Sequence, residues 1–108
     1  MLNAVTIMGR LTRDPELRYT QNEKAVVNFT IACDRDRTVN GEKQADFVDI
    51  VCWGSTAEFV SKYFAKGSMI VAKGRIQQRS WEDKDGNKKY AFEVNADSVY
   101  FGESKRSD

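Results

Sequence analysis

The chain has 108 residues, 41% of them apolar and 31% charged, with a formal net charge of +1. That is enough sequence for one domain with a modest core, and the near-neutral balance excludes a global basic field, so any anion-binding surface must come from local segregation of charge. No apolar run approaches the roughly 20 residues of a membrane-spanning helix, and no secretory segment is expected, because Ala4–Met8 already reads as structure. The first strand is expected over Asn3–Arg13, with Val5, Ile7, Gly9 and Leu11 on one parity, since strand side chains alternate between faces. Gly9 inside it marks a bulge or a close backbone approach, and Asp14–Pro15 ends it. Ala25, Val27, Phe29, Ile31 and Cys33 form the inner set of a second strand. A charged loop over Asp34–Gln44 contains the turn signal Asn40–Gly41 and leads into a third strand at about Ala45.

Ser55 to Glu58 has the spacing of a capping box. Phe59, Val60, Tyr63 and Phe64 follow at helical spacing, and Gly67 stands where a left-handed C-terminal cap belongs. A short helix over Thr56–Lys66 is therefore expected, with its aromatics plugging the core. A fourth strand runs over Met69–Trp81, the hairpin loop Glu82–Asn87 carries the turn signal Asp85–Gly86, and a fifth strand follows with Tyr90, Phe92, Val94 and Ala96 inward. Asp97–Phe101 continues it as a bent or separate strand. Five strands with one helix between the third and fourth match the OB-fold, an all-β Greek-key barrel that often binds oligonucleotides. It spans residues 1–103, with a frayed end over 104–108. Both cysteines lie on the apolar parity of their strands, so buried free thiols and a reducing, cytoplasmic compartment are expected.

The outward parity carries the functional signal. In the third strand Val48, Ile50 and Cys52 suit a core, which leaves Phe47, Asp49, Val51 and Trp53 outside. In the fourth, Ile70, Ala72, Gly74 and Ile76 are inner, while Lys73, Arg75, Arg79 and Trp81 point the other way. Flat rings outside a core and beside cations are what an unpaired nucleic-acid strand needs, because bases stack on the rings and phosphates meet the charges. Lys84, Lys88 and Lys89 bracket the hairpin tip and can track a backbone there, although acids interleave with them. A competing reading makes the same rings an interface hot spot for another protein. Thr6, Met8 and Arg10 face out from the first strand, and an open barrel edge there invites pairing with another copy.

Catalytic and metal chemistry find little footing. Histidine, the commonest general base near neutral pH, is absent. Asp83–Asn87 has the opening residues of a calcium loop, but its glycine falls too early and no glutamate occupies the twelfth position. Neither a cofactor nor a metal is expected, and the chain does not read as an enzyme.

Taken in order, Met8 to Tyr19, Ala45 to Trp53, Lys66 to Ser68 and Gly74 to Gly86 resemble the bacterial single-stranded DNA-binding protein family over nearly the whole chain. The resemblance implies an OB-fold that assembles as a homotetramer and wraps single-stranded DNA with little sequence preference. It also implies roles in replication, recombination and repair, in association with the nucleoid. The family's base-stacking aromatics fall at Phe47, where many members carry tryptophan, at Trp53, where many carry phenylalanine, and at Trp81. A further family aromatic aligns with Arg37, whose guanidinium plane can itself stack on a base, and Arg10 is a further possible contact. Asp49 replaces a basic family position. The family's linker and acidic tail have no counterpart, which fits either a trimmed core or a short paralogue, so recruitment of other proteins is not carried over.

Overall fold

The computed structural model describes residues 1–103; the frayed end expected over 104–108 lies outside the described residues. Six strands and one helix follow in the order β1 (Val5–Leu11), β2 (Glu16–Tyr19), β3 (Ala25–Asp34), β4 (Ala45–Trp53), α1 (Gly54–Tyr63), β5 (Met69–Glu82) and β6 (Lys88–Phe101). The sheet order is β1–β5–β6–β4–β3–β2, and a further β1–β3 pairing closes it into a barrel. β3 serves two partners in succession. Its first residues pair with β2 (Tyr19 with Ala25 to Glu16 with Asn28), and its later ones with β1 (Leu11 with Ile31, Arg10 with Ala32). Every pairing is antiparallel except β4–β6, which is parallel and joins only Ile50 with Val94 and Val51 with Asn95.

The expected OB architecture is present with one strand more than anticipated. β2 is four residues long and lies just beyond Asp14–Pro15, where the first strand had been expected simply to end. The core holds the expected inner sets: Leu11, Ala25, Val27, Phe29, Ile31, Ile50, Cys52, Ile70, Ala72, Val94 and Ala96 are buried, with Val5, Ile7, Leu17 and Val48 packed against them. Cys52 is sealed inside, whereas Cys33 is only half-buried; both thiols are free.

Gly9 sits where β1 crosses onto β3. A Cβ there would come 2.6 Å from the Ala32 carbonyl oxygen, so the close approach read from the sequence is real and only glycine permits it. At Gly74 a Cβ would overlap the Asn95 carbonyl oxygen, beside a register shift between Lys73 and Gly74.

α1 packs Ala57 and Val60 into the core, Phe64 just beyond the helix joins them, and Phe59 packs against them. Its ends differ from the expected ones. β4 passes directly into the helix through Gly54, at φ +62, with Trp53 in extended conformation as the N-cap and no side-chain cap bond. Ser55 is thus already inside the first turn, where the capping-box geometry is lost. The helix stops at Tyr63 because Phe64 is extended, and its amide donates to the Val60 carbonyl. Gly67, at φ +88, belongs to the following turn and donates to the Leu11 carbonyl.

The largest departure lies in β6. Val94 and Ala96 are buried as expected, but Tyr90 is 56% exposed and Phe92 69%, and Ile76 opposite Val94 is also exposed. The β5–β6 hairpin outruns the barrel, so its outer half has no core beneath it.

Candidate nucleic-acid interface

The pairing registers lay the outward residues of five strands into one surface. Glu16, Asn28, Val51, Asn95 and Arg75 form a row across β2, β3, β4, β6 and β5; Val51, expected outside, is buried at 3% exposure in the middle of that row, so parity alone did not leave it open. Trp53 stands one side-chain position to one side of Val51, in a row with Val26 and Arg18. Phe47 stands two positions to the other side, beside Ala32. Because β4 and β6 run parallel, Arg79 and Trp81 fall on Phe47's side of the row, opposite Ala91 and Lys89. Phe47 and Trp53 are thereby about 20 Å apart at strand rise, room for more than one nucleotide.

All three rings lie outside the barrel. Phe47 is 69% exposed, Trp53 43% and Trp81 42%. β4 and β6 splay on either side of their two paired residues, and the cleft between them is lined by Arg13, Arg18, Asn28, Thr30, Asp49, Arg79 and Glu93 among others.

The middle of this face is fixed by polar contacts. Asn95 donates through Nδ2 to Gln77 Oε1 (3.1 Å), Gln77 donates through Nε2 to Glu93 Oε1 (3.1 Å), and Arg79 Nε lies 3.9 Å from Glu93 Oε2. Glu93 is buried, which is tolerable for a carboxylate only when hydrogen bonds and a cation accompany it. The Arg79 guanidinium also lies over the Trp81 ring, 4.7 Å from its centroid, within cation–π reach. Asp49 accepts from the Thr30 hydroxyl at 2.7 Å.

The basic residues expected to form one stripe divide between two places. Arg79 lines the cleft with Arg13 and Arg18, whereas Lys73 and Arg75 line a shallow groove beside Asn3, Asn95 and Asp97. Arg10 shares a row with Ala32 and Phe47, but its guanidinium turns away, donating to the Gly67 carbonyl (2.9 Å) and pairing with Glu103 (3.5 Å). Arg37 is exposed on the β3–β4 loop. The base of that loop is clamped by Arg35, which reaches both oxygens of Asp46 at 3.1 and 2.8 Å and holds its carboxyl below the usual range. The loop tip is the expected tight turn, with Asn40 at φ 52 and Gly41 at φ 78.

Lys84 and Lys88 are both exposed at the β5–β6 tip, but Lys88 opposes Glu82 and so lies on the reverse face from Trp81; the lysine beside Trp81 is Lys89. The tip itself is a turn in which Asp83 Oδ1 accepts from the Asp85 and Asn87 amides, both at 2.9 Å. No group able to hold a metal ion occurs among the described residues.

Arg18 and Tyr19 escaped the sequence reading. Arg18 donates to Asn28 Oδ1 at 2.6 Å and enters the cleft. Tyr19 is exposed and shares a groove with Trp53, Lys24 and Ser55. The signal was the alternation of Glu16, Leu17 and Arg18 around one apolar residue, too short to stand out beyond a proline.

Comparison with known proteins shows the family. The sequence profile described as "Single-strand binding protein family" matches residues 2–102. The chain is 51% identical to the single-stranded DNA-binding protein of Oceanobacillus iheyensis, covering 99% of this chain and 67% of that protein. It is 48% identical to single-stranded DNA-binding protein 1 of Staphylococcus aureus (100% and 70% covered) and 47% identical to single-stranded DNA-binding protein 2 of Listeria monocytogenes (100% and 68% covered). The chain thus spans about two thirds of the length of these curated relatives.

Proposed function

The chain belongs to the single-strand binding protein family, and we propose that it binds single-stranded DNA with little sequence preference and without catalysis. Bases stack on Phe47, Trp53 and Trp81, while Lys73, Arg75 and Arg79 meet phosphates. Arg18 joins them from the cleft, and Arg37, Lys84 and, beside Trp81, Lys89 are peripheral contacts. The observation that supports this reading is that three large exposed rings lie on the outward parity of β4 and β5, on a side of the sheet whose cleft is lined by guanidinium groups. An indole left half in water on a strand gains little from the protein itself, whereas each stacked base contributes about 1–3 kcal/mol regardless of its identity.

Protection of unpaired DNA in replication, recombination and repair, in the cytoplasm at the nucleoid, is the role this binding serves; two free thiols suit that reducing compartment. The decisive experiment is a titration of tryptophan emission with oligo(dT). Stacking predicts strong quenching that weakens as salt rises. An unchanged emission with the protein folded sinks the proposal.

Assembly as a homotetramer is part of the same proposal. β1 pairs with β3 only at Arg10 and Leu11, so the edge from Val5 to Met8 is open for a second copy. Beside it Thr6, Met8, Val71, Lys73, Ser98 and Tyr100 share one outer surface through their registers, and Met8 and Tyr100 are exposed. A monomer mass independent of concentration in light scattering refutes this.

A further inference from the structure

β5 and β6 stay paired from Ile70 with Phe101 to Glu82 with Lys88, but their other neighbours leave early. β1 parts from β5 at Gly74, after which only the Asn3 side chain reaches the strand, bridging the amide and carbonyl of Ile76. β4 touches β6 at Val94 and Asn95 alone. Residues 77–82 and 88–93 therefore form a two-stranded ribbon whose edges are both unpaired among the described residues. Such a ribbon has two usable faces. One carries Arg79, Trp81 and Lys89; the other carries Tyr90, Phe92 and Lys88.

Tyr90 and Phe92 are among the most open rings of the molecule, at 56% and 69%. They occupy consecutive positions on one face of one strand, about 6.8 Å apart at strand rise. Across the ladder Phe92 faces Gln78 and Tyr90 faces Ser80, and only Ile76 at the ribbon's base continues an apolar surface. That setting argues against a protein partner, whose hot-spot rings need surrounding contacts that exclude water. It suits unpaired bases, which need a flat ring, a nearby cation and polar groups at its margin. Lys88 supplies the cation on the same face, and Lys84 stands at the turn.

We propose that Tyr90 and Phe92 form a second stacking surface for single-stranded DNA, reached by a strand that has stacked on Trp81 and passes over a free edge of the ribbon. This rests on the DNA-binding reading of the Trp81 face, and the two are separable by strand length. Against oligo(dT) of about 5 and about 16 nucleotides, which bracket the sites of single OB-folds, the intact chain with Phe92→Ala or Tyr90→Ala should bind the short strand as wild type does. Each variant should bind the long strand roughly 5- to 150-fold more weakly. Trp81→Ala should weaken both lengths, and Phe92→Trp should restore long-strand affinity and add quenching. Long-strand affinity within twofold of wild type for both alanine variants overturns the proposal. So does equal weakening of both lengths by Phe92→Ala, or a loss of assembled mass in light scattering with DNA affinity intact, which would make this face a contact between copies. If Trp81→Ala binds both lengths normally, it is the primary reading that fails.

Discussion

The guanidinium of Arg79 lies over the indole of Trp81, 4.7 Å from the ring centroid, because the two residues are two apart on one face of β5. Glu93 steadies the same guanidinium from β6 at 3.9 Å. One side of the indole is therefore covered by a cation; in the proposed binding mode the other side takes a base and the cation meets its phosphate. Arg79→Ala should lower the slope of log affinity against log salt by about 0.7, while Arg79→Lys should keep the slope and lose the stack. Equal slopes for wild type and Arg79→Ala remove Arg79 from the phosphate contacts.

Trp53→Ala and Trp81→Ala should each weaken oligo(dT) binding roughly 5- to 150-fold, the equivalent of about 1–3 kcal/mol per stacked base. Both rings are largely outside the core, so the thermal midpoint should barely move. Wild-type affinity in both folded variants would show that the rings serve another purpose.

Gly9→Ala should destabilise the barrel without touching the aromatic face. The new methyl would lie 2.6 Å from the Ala32 carbonyl oxygen, so β1 must lift from β3 where their pairing closes the ring. Overpacking of this kind costs about 1–3 kcal/mol, a fall of roughly 4–20 °C in the thermal midpoint for a domain of this size. A midpoint within a degree of wild type would mean the crossing is not tight.

Cys52 is enclosed in the core, and burial pushes its thiol from 9.0 up to about 12. The native state holds the proton over a range in which the unfolded chain releases it. The thiol's contribution to stability is thus present below about pH 9 and is lost as pH rises toward about 12. The stability difference between wild type and Cys52→Ala should shrink across that interval, as read by urea midpoints. Parallel curves would contradict the linkage. In the native protein at neutral pH, a thiol reagent should modify half-buried Cys33 well before Cys52.

Much of the fold was legible because strand alternation and turn chemistry are local. The inner sets of β3, β4 and β5 up to Ala72 needed only a period of two, and Asn40–Gly41 needed only the tolerance of those residues for positive φ. The helix ends were less legible. The sequence offers Ser55 and Glu58 as a box, yet Gly54 turns the chain one residue earlier, and the strand–helix join takes precedence over the local cap.

The sequence by itself determined that Phe47, Trp53 and Trp81 would stand on the parity opposite the core, since backbone geometry alone sets which side chains share a face. Only the tertiary structure decided which of those faces has anything packed against it. Tyr90 and Phe92 continue the parity of buried Val94 and Ala96, yet they stand in the open because the barrel ends beneath them. Likewise, Trp81, Arg79 and Phe47 fall on one side of a common row only through the parallel β4–β6 join. Burial is a property of what lies across the gap, and no local period encodes that.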